Sequence, residues 1–326
     1  MNFQGLKRIE SYQFYLDVAI NAAKKAAEEA RVDAREEHIR NTFVKSKIIE
    51  KEKLRTMENS ICGQLNNIVK KFPRVETLPV FYKELMKTMI KIDQVTKSLT
   101  SIDFVSKKIQ DLTQLYQRKI RCSKTIEDMN MHRRSYYGRI SSLLKEIKQD
   151  LEGLEFARKE LKEFPAIKTD MPTICICGFP NVGKSTLLKK VTGSNVEIQS
   201  YAFTTKQLLT GYANLGYGKI QFIDSPGVLN REDKRNLIEH QAYLAVKYLA
   251  NCCVFVLDIT LSSGYDVSDQ LKLLSDLKKR FEKPFIVYLS KSDLISKEKI
   301  EEFRKQKNYP VVTEVNELMK QIEMHI

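Results

Sequence analysis

Residues 178–185 read GFPNVGKS, a G-x-x-x-x-G-K-S pattern. Glycines at that spacing let successive backbone N–H groups turn inward around a phosphate, and the start of a following helix adds its positive end. Gly178, Phe179, Pro180, Asn181, Val182, Gly183, Lys184, Ser185 and Thr186 form the expected phosphate cradle. In it Lys184 reaches the outer phosphates and Ser185 is placed for Mg2+. The pattern follows an apolar run, TICIC, and opens the helical stretch STLLKKV, which is the setting this chemistry requires.

Three later stretches extend the site. DSPG at 224–227 follows KIQFI; an aspartate at a strand end holds Mg2+ through water, and Gly227 offers its N–H to a terminal phosphate. In FTTK at 203–206, a threonine closing on Mg2+ would sense that phosphate, with Thr205 the first choice and Thr204 the second. SKSD at 290–293 follows PFIVYL. There Asp293 would accept two hydrogen bonds from guanine, a pair that adenine cannot supply, while the stem of Lys291 covers the base. DSPG is followed by Val228, where many small GTPases have a glutamine that orients the attacking water.

These residues need elements to hold them, and the chain has two grammars. Residues 1–164 contain only two prolines, Pro73 and Pro79, and read as helix almost throughout. AINAAKKAAEEAR is rich in strong helix formers. Leu144, Ile147, Leu151, Leu154 and Leu161 recur on one helical face, and FPRVETLP breaks a long helix. The expectation is an antiparallel bundle of about four or five long helices. Within FPAIKTDMP at 164–172, residues 165–172 supply a linker after a helical domain of 1–164. From 173 to 326 short apolar runs alternate with amphipathic stretches: TICIC, QLLTGYA, KIQFID, CVFVLD, PFIVYL and YPVV. That alternation predicts an α/β domain with a mostly parallel six-stranded sheet flanked by helices. The short NLGYG turn makes QLLTGYA and KIQFID pair antiparallel.

The 326 residues carry a formal net charge of +14. Residues 1–170 hold 34 Lys and Arg against 24 acids, a net +10. This excess favours a polyanionic partner, with a merely solvated lysine-rich surface as the alternative. It is densest at 118–145, where Arg118, Lys119, Arg121, Lys124, Arg133, Arg134, Arg139 and Lys145 face two acids, and Tyr136 or Tyr137 could stack on an unpaired base. Of six cysteines, Cys175, Cys177, Cys252 and Cys253 lie in apolar runs and none forms a C-x-x-C pair, which argues against zinc and against a disulfide framework. No run has the length of a membrane span, and the N-terminus lacks the apolar stretch of a signal peptide. The reading is a cytoplasmic monomer without a membrane partner.

Taken together, these residues resemble the Obg-type, translation-factor-related GTPases. CGFPNVGKST, VEIQSYAFTTKQLLTGY, FPRVETLPVFYKELM, YQRKIRC and GRISSLLKEIKQDLEGLEFARKEL look like the nucleolar GTP-binding protein 1 family. The resemblance spans both halves and implies a Ras-like P-loop GTPase domain behind an RNA- or ribosome-docking helical domain. It implies a switch binding GTP and GDP with Mg2+ in large ribosomal subunit assembly, with rRNA and the subunit precursor as partners. Hydrolysis would be slow and stimulated by the particle. The chain looks like the short, archaeal-type form. Ser290 replaces the usual Asn or Thr of the guanine motif, and after YPVV only Thr313 stands in for the family's second guanine loop. The implied catalytic set is Asn181, Lys184, Thr205 and Gly227, with Ser185, Thr205 and Asp224 on Mg2+. In related GTPases an asparagine at the place of Asn181 helps bind K+; the alternative is that Asn181 only caps its loop. A passive RNA-binding scaffold and a P-loop ATPase or kinase are the competing readings.

Overall fold

The computed structural model describes residues 3–193, 196–200, 207–216, 218–224, 237–306 and 309–326. Two compact units emerge: one comprises Gln4–Thr77 and Met89–Lys162, the other Met1–Phe3, Leu78–Thr88 and Glu163–Ile326.

The first unit is helical: α1 (Tyr12–Glu36), α2 (Thr42–Lys71), α4 (Ile92–Cys122), α5 (Ile126–Glu146) and α6 (Lys148–Lys162). Three of these helix starts have a local cause. Ser11 caps α1 through a hydrogen bond from the Phe14 N–H, Asn41 caps α2, and Thr125 with Asp128 forms a reciprocal capping box on α5. Helix α1 buries Ala19, Ala23, Ala27, Ala30 and Ala34 on one stripe, and these small side chains bring its backbone close to α2. Leu54, Met57, Ile61 and Leu65 of α2 and Ile102, Ile109 and Ile120 of α4 fill the centre, each fully buried. The Leu144-to-Leu161 stripe is buried throughout, although the helix breaks at Ile147 into α5 and α6.

The second unit takes in α3 (Val80–Met89), which belongs by sequence to the helical half. After α2 ends at Lys71, a single 3-10 turn over Val75–Thr77 leads to it. Tyr82 anchors α3: its hydroxyl oxygen lies 2.9 Å from the Pro165 carbonyl and 3.0 Å from that of Ile167, and it accepts from the Ile167 N–H. Burial pushes this phenol up to about 12. The 165–172 stretch is therefore packed rather than free: Ile167 is fully buried and the Lys168 N–H donates to Gln221.

The sheet holds the six expected strands, β1 (Thr173–Cys177), β3 (Gln207–Leu215), β4 (Gly218–Asp224), β5 (Ala250–Leu257), β6 (Phe285–Leu289) and β7 (Val311–Val312), and adds an edge strand, β2 (Val196–Ser200). Their order is β2-β3-β4-β1-β5-β6-β7. The β2–β3 and β3–β4 pairs are antiparallel, as the short turn required; β4–β1, β1–β5, β5–β6 and β6–β7 are parallel. Helices α7 (Lys184–Thr192), α8 (Leu237–Tyr248), α9 (Val267–Arg280), α10 (Lys297–Lys305) and α11 (Val315–Glu323) complete the unit. β1 and β6 are buried along their whole length, as strands covered on both faces must be. Cys175, Cys177, Cys252 and Cys253 sit buried in this core as thiols rather than disulfides.

Candidate functional site

In a parallel sheet, ligands collect at the carboxyl ends of the strands, where chain order reverses direction. Here the reversal lies at β1, flanked by β4 and β5. The loop after β1, Asp224 at the end of β4, Asp258 after β5, Ser290 after β6 and Thr313 after β7 all sit on this edge.

The loop after β1 is shaped by backbone that L-residues rarely adopt. Gly178 has φ +142°, and a Cβ there would lie 2.6 Å from the Val256 carbonyl oxygen on β5, so only glycine fits. Gly183 caps α7 with φ +100°, and Asn181 between them is also left-handed, at φ 62°. Val182 is fully buried and Phe179 nearly so; the Phe179 ring lies against that of Tyr265, with centroids 4.5 Å apart. These two side chains clamp the loop from below while Asn181, Ser185 and Thr186 stay exposed and Pro180 is half-buried.

Lys184 is buried, and its ammonium donates to the Phe179 carbonyl at 2.8 Å, back across the loop. Burial pushes it below the ordinary lysine range, against the opposing pull of Asp224. Ser185 Oγ donates to Asp224 Oδ2 at 2.7 Å. The other oxygen, Oδ1, is buried and has no hydrogen-bond partner among the described residues. Burial raises the Asp224 carboxyl, and the Ser185 hydrogen bond and Lys184 only partly offset this. A hydroxyl and a half-satisfied buried carboxylate beside a phosphate loop are a hard-oxygen donor set, and they fit Mg2+. Thr204, Thr205, Gly227 and Val228 lie outside the described residues.

On the other side of the loop, Ser290 is buried and packs against Gly183: a Cβ built there would meet Ser290 Cβ at 3.5 Å. Ser290 Oγ donates to the Leu257 carbonyl at 3.2 Å. Lys291 is left-handed at φ 52°, and the Asp293 side chain is exposed. Thr313, half-buried, accepts a long hydrogen bond from Arg304. Thus the structure gathers Gly178–Thr186, Asp224 and Ser290 around one loop. Sequence reasoning missed Asp258, which binds Lys291; an aspartate at the end of an apolar strand, followed by Thr260 and Ser262, was the available signal.

The basic segment of the helical unit divides. Arg118, Lys119, Arg121, Lys124, Arg134, Arg139 and Lys145 are exposed. Lys119 and Arg139 both lie over the ring of Tyr116, at 4.9 and 5.9 Å. Arg133 instead pairs with buried Glu50 at 2.8 Å. Tyr136 is fully buried against Thr113 and cannot stack on a base, which corrects one of the two expected platforms; Tyr137 is half-buried. Among the described residues no helix is long and apolar enough to cross a membrane, and no His, Cys, Asp and Glu cluster forms a metal site.

Comparison with known proteins matches the two parts of the chain to two different family models. Residues 3–168 match the NOG1 N-terminal helical domain, and residues 173–291 match a 50S ribosome-binding GTPase domain. An uncharacterised protein of Methanocaldococcus jannaschii is 39% identical over 79% of this chain and 73% of its own length. Nucleolar GTP-binding protein 1 of Candida glabrata is 33% identical over 74% of this chain and 38% of its own length. The same-named Drosophila melanogaster protein is 31% identical over 80% of this chain and 41% of its own. The chain thus spans less than half of these eukaryotic relatives. A helical domain of this family followed by a GTPase domain, matched together over most of the chain, places the protein in the nucleolar GTP-binding protein 1 family.

Proposed function

We propose that this chain is a GTP-hydrolysing switch in assembly of the large ribosomal subunit, acting on precursor particles in the cytoplasm. The observation that carries the nucleotide half is the Ser185–Asp224 pair beside Lys184, in which the second Asp224 oxygen is buried with no hydrogen-bond partner among the described residues. Lys184 and the loop N–H groups would bind the phosphates, and Ser185 and Asp224 would hold Mg2+, which supplies charge neutralisation at the phosphates. Ser290, Lys291, Asp293 and Thr313 would hold guanine. Thr205 and Gly227 would read the terminal phosphate.

The ribosomal half draws support from the family and from the likeness of residues 173–291 to a 50S ribosome-binding GTPase. The seven exposed cations from Arg118 to Lys145 would contact rRNA phosphates. No glutamine follows DSPG, so another group must assist hydrolysis. Asn181, exposed and left-handed in the loop, is the candidate K+ ligand.

The test is GTP turnover with Mg2+ in matched KCl and NaCl, with and without large-subunit precursors. The expected result is slow turnover that rises with the particle, and a K+ stimulation that Asn181→Ala removes. Turnover equal in both salts would remove the K+ role. Tight GTP binding with no turnover even on particles would make the protein a scaffold.

A further inference from the structure

The loop between β5 and α9, DITLSSGYD at 258–266, carries none of the nucleotide motifs, yet its polar groups are organised around one carboxylate. The Asp258 side chain is fully buried. Oδ1 accepts from the Thr260 N–H at 2.8 Å and from the Thr260 hydroxyl. Oδ2 accepts from Lys291 Nζ at 2.7 Å and from Ser262 Oγ at 3.2 Å. Lys291 Nζ also donates to Ser262 Oγ at 2.6 Å. Burial pushes this carboxyl up, but Lys291 and the two Thr260 donors outweigh it and hold it at about 2, ionised throughout the physiological range.

The backbone of Asp258 is held as firmly as its side chain. Gln270 of α9, fully buried, accepts from the Asp258 N–H at 2.9 Å and donates to the Asp258 carbonyl at 2.8 Å. It also donates to the carbonyl of Tyr265, whose ring lies on Phe179 of the phosphate loop. Leu257 and Leu289 are register partners, so the ion pair joins the ends of adjacent strands. The Lys291 stem spans from the end of β6 to the end of β5 and is fixed at both ends, by its left-handed backbone and by Asp258.

We propose that Asp258 is a positioning residue for the nucleotide base: it pins the Lys291 ammonium so that the lysine stem forms a fixed wall for the guanine ring, and so sets how long nucleotide stays bound. This rests on the reading of Ser290–Asp293 as the guanine loop. A flexible lysine would lose its side-chain entropy each time nucleotide binds; a tethered one has lost it already.

The experiment is the dissociation rate of a fluorescent N-methylanthraniloyl GDP from the full chain with Mg2+, in Asp258→Asn, Lys291→Met and the double variant. Each single substitution should speed dissociation about ten-fold, the usual scale of a charged hydrogen bond. The double variant should release no faster than Lys291→Met alone, because Asp258 acts through the lysine. Independent, multiplying effects would overturn the proposal and leave Asp258 a loop-folding residue. An unchanged rate in Asp258→Asn would overturn it too. An unchanged rate in Lys291→Met would instead bring down the guanine-loop reading, and the proposal with it. Should Asp258→Asn fail to fold, Ser262→Ala removes the other Nζ anchor from an exposed position. It should speed release in the same direction, and only while Lys291 is present.

Discussion

Arg133 and Arg134 are neighbours with the same charge, and replacing each should have opposite kinds of effect. Glu50 on α2 is 7% exposed, and its Oε1 accepts from Arg133 at 2.8 Å and from Lys53 at 2.6 Å, while Oε2 is buried with no partner among the described residues. Taking one partner from a buried ion pair costs about 3–5 kcal/mol. Two features reduce this: Lys53 remains, and the Arg133 side chain keeps 24% of its exposure. Arg133→Ala should therefore cost about 2 kcal/mol. Arg133→Glu sets a second carboxylate against Glu50 and should cost more. Arg134 is exposed, and its replacement should stay within about 0.5 kcal/mol. In urea titration of the full chain followed by helical ellipticity, a slope of about 2 kcal/mol per molar turns the Arg133→Ala cost into a midpoint about 1 M lower. Arg134→Glu should leave the midpoint in place, weaken binding to an rRNA fragment and reduce the salt slope by about one. Equal midpoint shifts at the two positions would refute this. So would an Arg133→Ala cost that persists undiminished in a Glu50→Gln background.

Gly178→Ala forces a Cβ to 2.6 Å from the Val256 carbonyl and should cost about 3 kcal/mol together with GDP binding, whereas Gly183→Ala meets nothing closer than 3.5 Å and should cost less; thermal unfolding of both variants checks the order. Asp258 is held at about 2 against an ordinary 3.8, so its ionisation stabilises the fold above the ordinary value, and that contribution is lost as pH falls toward 2. The stability gap between the native chain and Asp258→Asn should then be constant from pH 8 to 5 and begin to narrow below pH 4. Asp224 is raised by burial and must be ionised to hold a metal, so Mg2+-dependent tightening of GDP should weaken as pH falls through that raised value, and Asp224→Asn should abolish it at every pH. Mg2+ titrations of GDP affinity across pH decide this; a tightening that survives in Asp224→Asn removes Asp224 from the metal site.

The phosphate loop was legible because its chemistry is local: eight consecutive residues contain the turn, the cation and the hydroxyl, and flanking apolar and helical runs fix where they sit. Asp224 could be read for the same reason, as a strand-terminal acid. The Asp258–Lys291 tether joins residues 33 apart through the register of β5 and β6, and nothing in either segment names the other. The unit to which α3 belongs was equally hidden. Its helical pattern is plain, but the contacts that place it are long-range, among them the Tyr82 hydroxyl meeting the carbonyls of Pro165 and Ile167. Strand β2 is hard to see in the sequence because VEIQS alternates over only five residues, a weak signal for an edge strand that forms by pairing with β3.

The inward place of Arg133 in the basic segment is consistent with helical periodicity. Met129, Tyr136 and Ile140 are buried on α5, at spacings of seven and four. Arg133 lies four residues after Met129 and three before Tyr136, so it falls on that same inward stripe. One residue on, Arg134 is turned about 100° away and faces water. A cation on an inward stripe needs a buried acid, and Glu50 lies on the buried face of α2 with Leu54 and Met57. A count of basic residues treats all eight positions alike. The ion pair with Glu50 separates one structural arginine from seven exposed cations, and it is the exposed set whose charge reversal would report on RNA without disturbing the fold.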